Sequence, residues 1–518
     1  MLNEIKEVDG MKKHNYFNKI MSVITAVAIT LPMCMLTVSA SAYTVPEECP
    51  NCISFNTHFY RANNELCDTL ANGMKKLETE IDIERFNASV DKVKSAMRVA
   101  SEMHPELFYI SKTTFGIIMG ANAVKVIPKY TYKTDKIPDM QEQLGEKTDY
   151  ILSKITPDMS NFQKTMIIHD EIVLGCEYSN TVDSQYLRTS VYDCLVNGYA
   201  NCQGYASSMS YLLEHVGIKS EIVESSQMNH VWNLVEIDDK YYNLDATFDD
   251  PTPNKFGFVS HKYFLLSDVA IKTYPNISIH YGYNAYHSAS SKIYDDSYFK
   301  TINTKLCYSN GYFYAADNNH DSENAKKLVK LDSSGNLIMA VAKISDKWYA
   351  PGGYRYWQDG FISTDELNGD IYFNLNDSIC KFTVATGQVH IVSDDINVSD
   401  YNYIYGMHIS QDGRFFVNLV NAPTADPNIK EVKILPESKH ERLNISLVGN
   451  DILIPKFTLG DVNSDGDLSV VDVTLLQMIC SGSLEPTEVQ TLAADYNSDG
   501  KVDINDATAL QIHLTSEN

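Results

Sequence analysis

Two twelve-residue segments near the C-terminus repeat one spacing of oxygen side chains. They are Asp461-Val-Asn463-Ser-Asp465-Gly466-Asp467-Leu-Ser469-Val-Val-Asp472 and Asp495-Tyr-Asn497-Ser-Asp499-Gly500-Lys501-Val-Asp503-Ile-Asn-Asp506. Oxygen side chains fall at positions 1, 3, 5, 9 and 12, with glycine at position 6 for a sharp turn. The backbone carbonyl at position 7 (Asp467, Lys501) completes the six to eight oxygens that Ca2+ takes. Position 12 is Asp in both repeats, not the longer bidentate Glu usual there. The chain after each loop repeats as well, Asp472-Val-Thr-Leu-Leu-Gln477 and Asp506-Ala-Thr-Ala-Leu-Gln511. A single such loop is readily an acidic surface segment; two, each opening the same helix, predict a pair of calcium sites. Charge agrees. From Phe457 to Asn518 eleven acidic residues face one lysine, so this tail holds −10 of the net −25. The overall acidity argues against a nucleic-acid partner, which needs a basic face.

The other end sets the compartment. Lys12 and Lys13 precede an apolar run from about Ile20 to Val38, and Ala40-Ser41-Ala42 offers a small-residue exit. This predicts a secretory leader over 1–42, with an uncleaved anchor as the alternative. No second apolar span follows, so a mature, secreted chain without a stable membrane span is expected. Nine of the ten cysteines lie beyond the leader. An odd number leaves a free thiol, and nine are too sparse for a disulfide scaffold. Cys49-Pro-Asn-Cys52 is a lone CxxC with no second ligand pair.

At 518 residues the chain should hold three or four domains, each of ~100–200 residues. The expected class is α+β, in five parts: the leader, an α/β region over 43–155, a core over 156–295, an all-β region over 296–456, and a small all-α calcium-binding domain over 457–518. In the first region Glu65–Met97 reads as helical and Thr131–Lys136 as a strand-to-loop passage. Phe162, Met166, Ile168 and Ile172 mark a helix over 161–174. Short aromatic strands recur after glycines from about Ser297, as in Gly369-Asp-Ile-Tyr-Phe; they fit a partial propeller or a sandwich equally.

The densest stretch runs from Tyr192 to Ile237. Asn201-Cys202-Gln203-Gly204-Tyr205-Ala206 opens a helix reaching His215, which places Cys202 where unpaired N–H groups and the helix dipole favour a thiolate. The same amides could hold an oxyanion. His230 to Ile237 alternates as a strand, Asp238-Asp239 is turn chemistry, and Tyr241 to Asp245 returns. With the turn centred there, Trp232 pairs with Asp245 and His230 with Thr247, so His230 and Asp245 become diagonal neighbours ~7–8 Å apart at Cβ. A thiol, an imidazole and an orienting carboxylate make up the layout of nucleophilic acyl transfer. Cys202, His230 and Asp245 are the expected catalytic residues. Asp249 and Asp250, read as neighbours on a strand, point to opposite faces and cannot flank one bond. His215, His261 and His280 have no partners visible in the sequence, and Cys194 reads as core.

Two resemblances rest on these residues. Gly198-Tyr-Ala-Asn-Cys202-Gln-Gly-Tyr-Ala206, His230-Val-Trp-Asn233, Asp245-Ala-Thr247 and Asp249-Asp250-Pro251 resemble the bacterial transglutaminase-like superfamily. So do the flanking His104-Pro-Glu-Leu-Phe108, His169-Asp170 and Tyr263-Phe-Leu-Leu-Ser-Asp268. The resemblance implies a papain-like core without a cofactor of its own, with Cys202 as nucleophile, His230 as general base and acid, and Asp245 as orienter. Asn201 departs from the small apolar residue usual before the cysteine. Members of that superfamily include cross-linkers, peptidases, amidases and inactive relatives, so substrate stays open among protein, peptide and wall polymer. The duplicated loops resemble a type I dockerin. That implies two Ca2+ and a cohesin module of a scaffoldin as partner, in a cellulosome-type complex at the cell surface. The implied ligand positions are Asp461, Asn463, Asp465, Asp467, Ser469 and Asp472, then Asp495, Asn497, Asp499, Lys501, Asp503 and Asp506. Positions 10 and 11, Val470-Val471 and Ile504-Asn505, differ between repeats and depart from the Ser-Thr pair of that family. A non-catalytic binding module and an accessory protein of polysaccharide degradation are the alternative readings.

Overall fold

The structure, a computed structural model, describes residues 35–39, 65–179, 188–273, 279–319 and 325–345. It also describes most of 348–434, residues 445–447, and 459–516 apart from 464–467, 485, 487 and 498–500. The expected leader lies outside these residues but for a strand at Met35–Ser39; Cys49 and Cys52 lie outside altogether. Among the described residues no helix is long and apolar enough to cross a membrane. The chain divides into two compact units, Met1–Thr44 with Tyr60–Ile137, and Val45–Phe59 with Pro138–Asn518.

In the first unit, helices α1 (Glu65–Lys75) and α2 (Val90–Met103) accompany strands β1 (Ile110–Met119) and β2 (Ala123–Tyr130). The antiparallel sheet runs Met35–Ser39, β1, β2, Ile81–Asp82. The helical reading of 65–97 breaks in its middle. Leu77 and Asn87 adopt left-handed φ of 56° and 47°, which no α-helix continues through, and α2 restarts where Ser89 accepts the Lys92 amide. Residues 131–136 form a turn after β2, not the end of a strand.

In the second unit α3 (Ile137–Leu152) precedes α4 (Asn161–Gly175), the helix predicted from Phe162 to Ile172. A reciprocal cap between Ser160 and Gln163 opens it. Strands β3 (Glu177–Tyr178) and β4 (Tyr199–Ala200) pair in parallel and deliver the chain to α5 (Cys202–His215). The sheet β5 (Ser220–Ser225), β6 (His230–Ile237), β7 (Lys240–Leu244) is an antiparallel meander. The β6–β7 turn is the predicted Asp238-Asp239, both at positive φ of 50° and 60°, as a two-residue hairpin requires. A short helix, α6 (Ala246–Asp249), comes next.

The β region contains three antiparallel meanders taken in chain order. They are β8 (Cys307–Ser309) to β11 (Leu337–Ile344), extended by Ile445–Leu447; β12 (Thr364–Leu367) to β15 (Gln388–Ser393); and β16 (Tyr403–Ile409) to β18 (Ile429–Val432). Polar bonds tie their inner edges. Thr364 Oγ1 donates to the Lys305 carbonyl, and the Met407 and Ile409 amides reach Ser363 and Asp365. These bonds join the three meanders into one multi-sheet all-β region. A buried ionic chain joins the meanders to the core. Lys305 Nζ lies 2.7 Å from both Glu171 of α4 and Asp365, and the Leu306 amide donates to Asp170. The C-terminal segment holds α7 (Val470–Cys480), α8 (Glu488–Ala494) and α9 (Ile504–Ser516) around Val462, Val473, Leu476, Ala507 and Leu510.

Candidate active site

Cys202 is the first residue of α5 and half-buried. Asn201, the residue that departs from the usual pattern, is the N-cap. Its Oδ1 accepts the Gln203 and Gly204 amides at 3.1 and 3.4 Å, and its carbonyl accepts the Tyr205 amide. Three of the first four amides are thus spent on the cap. The expectation of several free N–H groups narrows to the amide of Cys202 itself. Gly204 lets this turn lie close to β4, since a Cβ there would sit 2.6 Å from the Ala200 Cβ. Gly204→Ala should therefore displace the start of α5, at an overpacking cost of about 1–3 kcal/mol. A lowered melting temperature together with slower alkylation of Cys202 is the expected result.

His230 begins β6, opposite Ser225. Its Nε2 lies 2.6 Å from Asp245 Oδ2, and Cys202 lies near enough to favour the charged imidazole. With Nε2 on the carboxylate, Nδ1 is the nitrogen left for the thiol. The ring stacks on Phe248 at 4.6 Å and lies nearly parallel to Trp232 at 5.8 Å, surroundings that favour a cation. Burial opposes the charged imidazole, but the Asp245 carboxylate and Cys202 outweigh it and push the pKa up to about 10. Asn233, three residues on, donates to the Ala206 carbonyl and Ser210 Oγ at 3.0 and 2.9 Å. It pins the histidine strand to the cysteine helix.

Asp245 differs from expectation in its backbone. The ladder runs from Ile237↔Lys240 to Asn233↔Leu244, the predicted offset, and then stops. Asp245 leaves it as N-cap of α6, with Oδ1 accepting the Thr247 and Phe248 amides at 3.0 and 3.2 Å. Thr247 is therefore helical and does not face His230. The cap turns the carboxylate toward the imidazole, replacing the diagonal strand pairing. Burial acts to raise its pKa, but His230 and His280 hold the carboxyl well below the ordinary range.

His280 is the partner the sequence did not disclose. Its Nε2 lies 2.9 Å from the same Asp245 Oδ2. His261 is not ordinary either. His169 Nδ1 and His261 Nε2 both sit 2.9 Å from Asp170 Oδ1, and His169 Nε2 reaches Asp249 at 3.2 Å. Burial disfavours charge on His169, yet these carboxylates raise its pKa to about 9. Each cluster could close around a cation by spacing. In each, two imidazoles instead share one carboxylate oxygen, an arrangement that protons satisfy. His215 reaches the Tyr211 carbonyl and packs edge-on against that residue's ring. Asp249 and Asp250 belong to α6 and its C-cap, not to a strand. They still diverge, Asp249 to His169 and the Tyr263 amide, Asp250 to Tyr205 Oη and the Tyr178 amide. A cleft of about 790 Å³ lies beside Phe248, lined by Asp249, Tyr263 and Lys300 among others; Cys202 and His230 are not in its wall.

In the calcium-type loops the two position-12 carboxylates are fully buried and do the same work. Asp472 accepts the Asn463 and Ser469 amides at 3.1 and 2.9 Å, and Asp506 accepts those of Asn497 and Asp503 at 3.0 and 2.9 Å. Each thereby folds its loop back onto the helix it precedes. Asp465, Asp467 and Asp499 lie outside the described residues.

Cys202 at a helix start, His230 at the start of β6 and Asp245 just past β7 thus belong to one mixed α/β core. Comparison with known proteins finds two family matches. Residues 148–246 match the transglutaminase-like superfamily and residues 459–515 match the type I dockerin domain. The chain therefore combines a transglutaminase-like region with a C-terminal dockerin. Among solved structures, a TGase is 10% identical, over 28% of this chain and 47% of its own length, with a TM-score of 0.19. A Cytophaga hutchinsonii protein assigned as a cysteine protease is 22% identical over 24% and 45%, with a TM-score of 0.17. The match thus spans less than half the length of either. No curated protein matches the chain.

Proposed function

We propose that this is a secreted protein whose dockerin seats it on a scaffoldin cohesin, and whose transglutaminase-like region transfers acyl groups through a thioester on Cys202. The observation that carries the reading is the 2.6 Å bond between His230 and the buried Asp245, with Cys202 near enough to favour a charge on that imidazole. His230 takes the thiol proton, and the thiolate attacks an amide carbonyl. The oxyanion forms beside the Cys202 amide, the one helix-start N–H its cap does not use. The imidazolium then protonates the leaving amine, and Asp245 holds the ring in the required tautomer. Water, drawn on by His230, releases the acid. Hydrolysis of a peptide or amide is favoured over cross-linking, because water is always at hand while no group marks a site for an acceptor amine. In the dockerin, Asp461, Asn463 and Asp472, with Asp495, Asn497 and Asp506, would hold Ca2+, which supplies the counter-charge that ties each loop to its helix.

Acylation of Cys202 by p-nitrophenyl acetate, followed as a burst of nitrophenolate and located by peptide mapping, tests the reading. Asp245→Asn keeps the shape and the Thr247 and Phe248 caps but cannot stabilise an imidazolium, so acylation should fall by roughly 10³–10⁴-fold with a small change in melting temperature. A mutant as fast as the parent would remove Asp245 from the mechanism. An inert Cys202 in folded parent would leave a binding module.

A further inference from the structure

We infer that His280 is a positioning residue of this site, sharing the Asp245 carboxylate with His230 and limiting how tightly that carboxylate holds the imidazolium. The inference rests on the roles given above to Cys202, His230 and Asp245. Four N–H groups converge on Asp245: the Thr247 and Phe248 amides on Oδ1, and the His230 and His280 imidazoles on Oδ2. The carboxylate is wholly buried and its hydrogen-bonding capacity is filled. The two imidazole bonds are unequal, 2.6 Å to His230 and 2.9 Å to His280.

Among the described residues, the titratable groups facing His280 include Asp245, His230 and Tyr263, and those facing His230 include Asp245, His280 and Cys202. His280 is thus a second N–H donor on the one carboxylate that His230 relies on. Its own orientation is set from several sides. The ring is fully buried, stands edge-on to Trp232 at 4.7 Å and to Phe248 at 5.1 Å, and the backbone amide donates to the Ile271 carbonyl. A donor held so firmly draws part of the Oδ2 electron density from His230. Without it the whole pull of Asp245 falls on His230, which keeps its proton to higher pH and gives it up to a leaving amine less readily.

The test reads the charge of His230 through Cys202 in the full chain. An imidazolium attracts iodoacetate but is indifferent to iodoacetamide, so the ratio of the two alkylation rates at Cys202 falls where His230 loses its proton. His280→Phe keeps a ring without an N–H, and His280→Gln keeps an N–H of similar reach. We expect the midpoint of that fall to rise by about one pH unit in His280→Phe and to return toward the parent in His280→Gln. If His280→Phe fails to fold, His280→Leu gives the same comparison. An unchanged midpoint in a folded, donorless variant with reactive Cys202 overturns the inference. So does unfolding of both donorless variants while His280→Gln folds, since the bond would then be structural alone. A parent whose ratio does not change with pH, or is unaffected by His230→Ala, would instead sink the underlying reading of the site.

Discussion

At about pH 6, iodoacetamide modifies Cys202 of the folded chain ahead of every other described cysteine, and His230→Ala slows that modification by roughly a hundredfold. The ceiling on this effect is set by ordinary thiol chemistry. With a pKa of ~8.5 a free cysteine is well under ~1% thiolate at that pH, so an ion pair that fully ionises it gains a factor of a few hundred. The helix start and the His230 imidazolium both favour the thiolate. His230 is built to stay protonated, with a pKa of about 10, so the positive charge it sets beside Cys202 should persist from mildly acid to alkaline pH. The remaining cysteines are arranged the other way. Cys67, Cys176, Cys194, Cys307 and Cys380 are buried, and Cys480, half-buried like Cys202, is pushed up by burial and by the Asp506 and Asp503 carboxylates. Burial pushes Cys67 up to about 11 and Cys176 and Cys307 further still. Peptide mapping after limited alkylation reads the outcome. Labelling spread over several cysteines, or a Cys202 that stays unmodified, would favour the binding module over the enzyme.

Removing calcium should unfold the dockerin and leave the rest of the chain folded. The segment from 457 carries eleven acidic residues and one lysine, and its core is small, centred on Val462, Val473, Leu476, Ala494, Ala507 and Leu510. A domain of about 60 residues has little apolar burial to set against that repulsion. Two Ca2+ ions offset four of the charges and join each loop's first residues to the position-12 carboxylate that opens the next helix. Circular dichroism of the 457–518 fragment should show most helicity lost in EDTA and restored by calcium. Helicity unaffected by EDTA would count against the loops as calcium sites. Asp461→Ala with Asp495→Ala, removing position 1 of both loops, should abolish cohesin binding while the melting transition of the remainder is retained.

The parts of the site legible in the sequence were those written in local spacing. A helix start placed Cys202. A two-residue Asp-Asp turn set the register of β6 on β7 and brought His230 level with the end of its partner strand. The same local logic misjudged the residues just past β7, because nothing in Asp245-Ala-Thr-Phe says that the strand gives way there to a helix whose cap is Asp245 itself. It also missed the hairpin of β1 and β2, and it read through the break between α1 and α2, where two left-handed residues, Leu77 and Asn87, carry no glycine to announce them.

What the sequence determined by itself was the chemistry at two places in the chain: a thiol at a helix N-terminus with a histidine and a carboxylate one hairpin away, and a duplicated oxygen-rich loop that calls for calcium. Both arise from bonds between near neighbours, whose geometry a few dihedral angles decide. The tertiary structure decided who shares those groups. His280 reaches Asp245 from 35 positions away, out of a stretch without helical or strand periodicity. His261 reaches Asp170 from 91 positions away, and Lys305 joins Glu171 of the core to Asp365 of the meanders. Such partners are chosen by burial. A carboxylate taken out of water must find donors wherever the packed chain brings them, and residue spacing along the sequence holds no record of that choice.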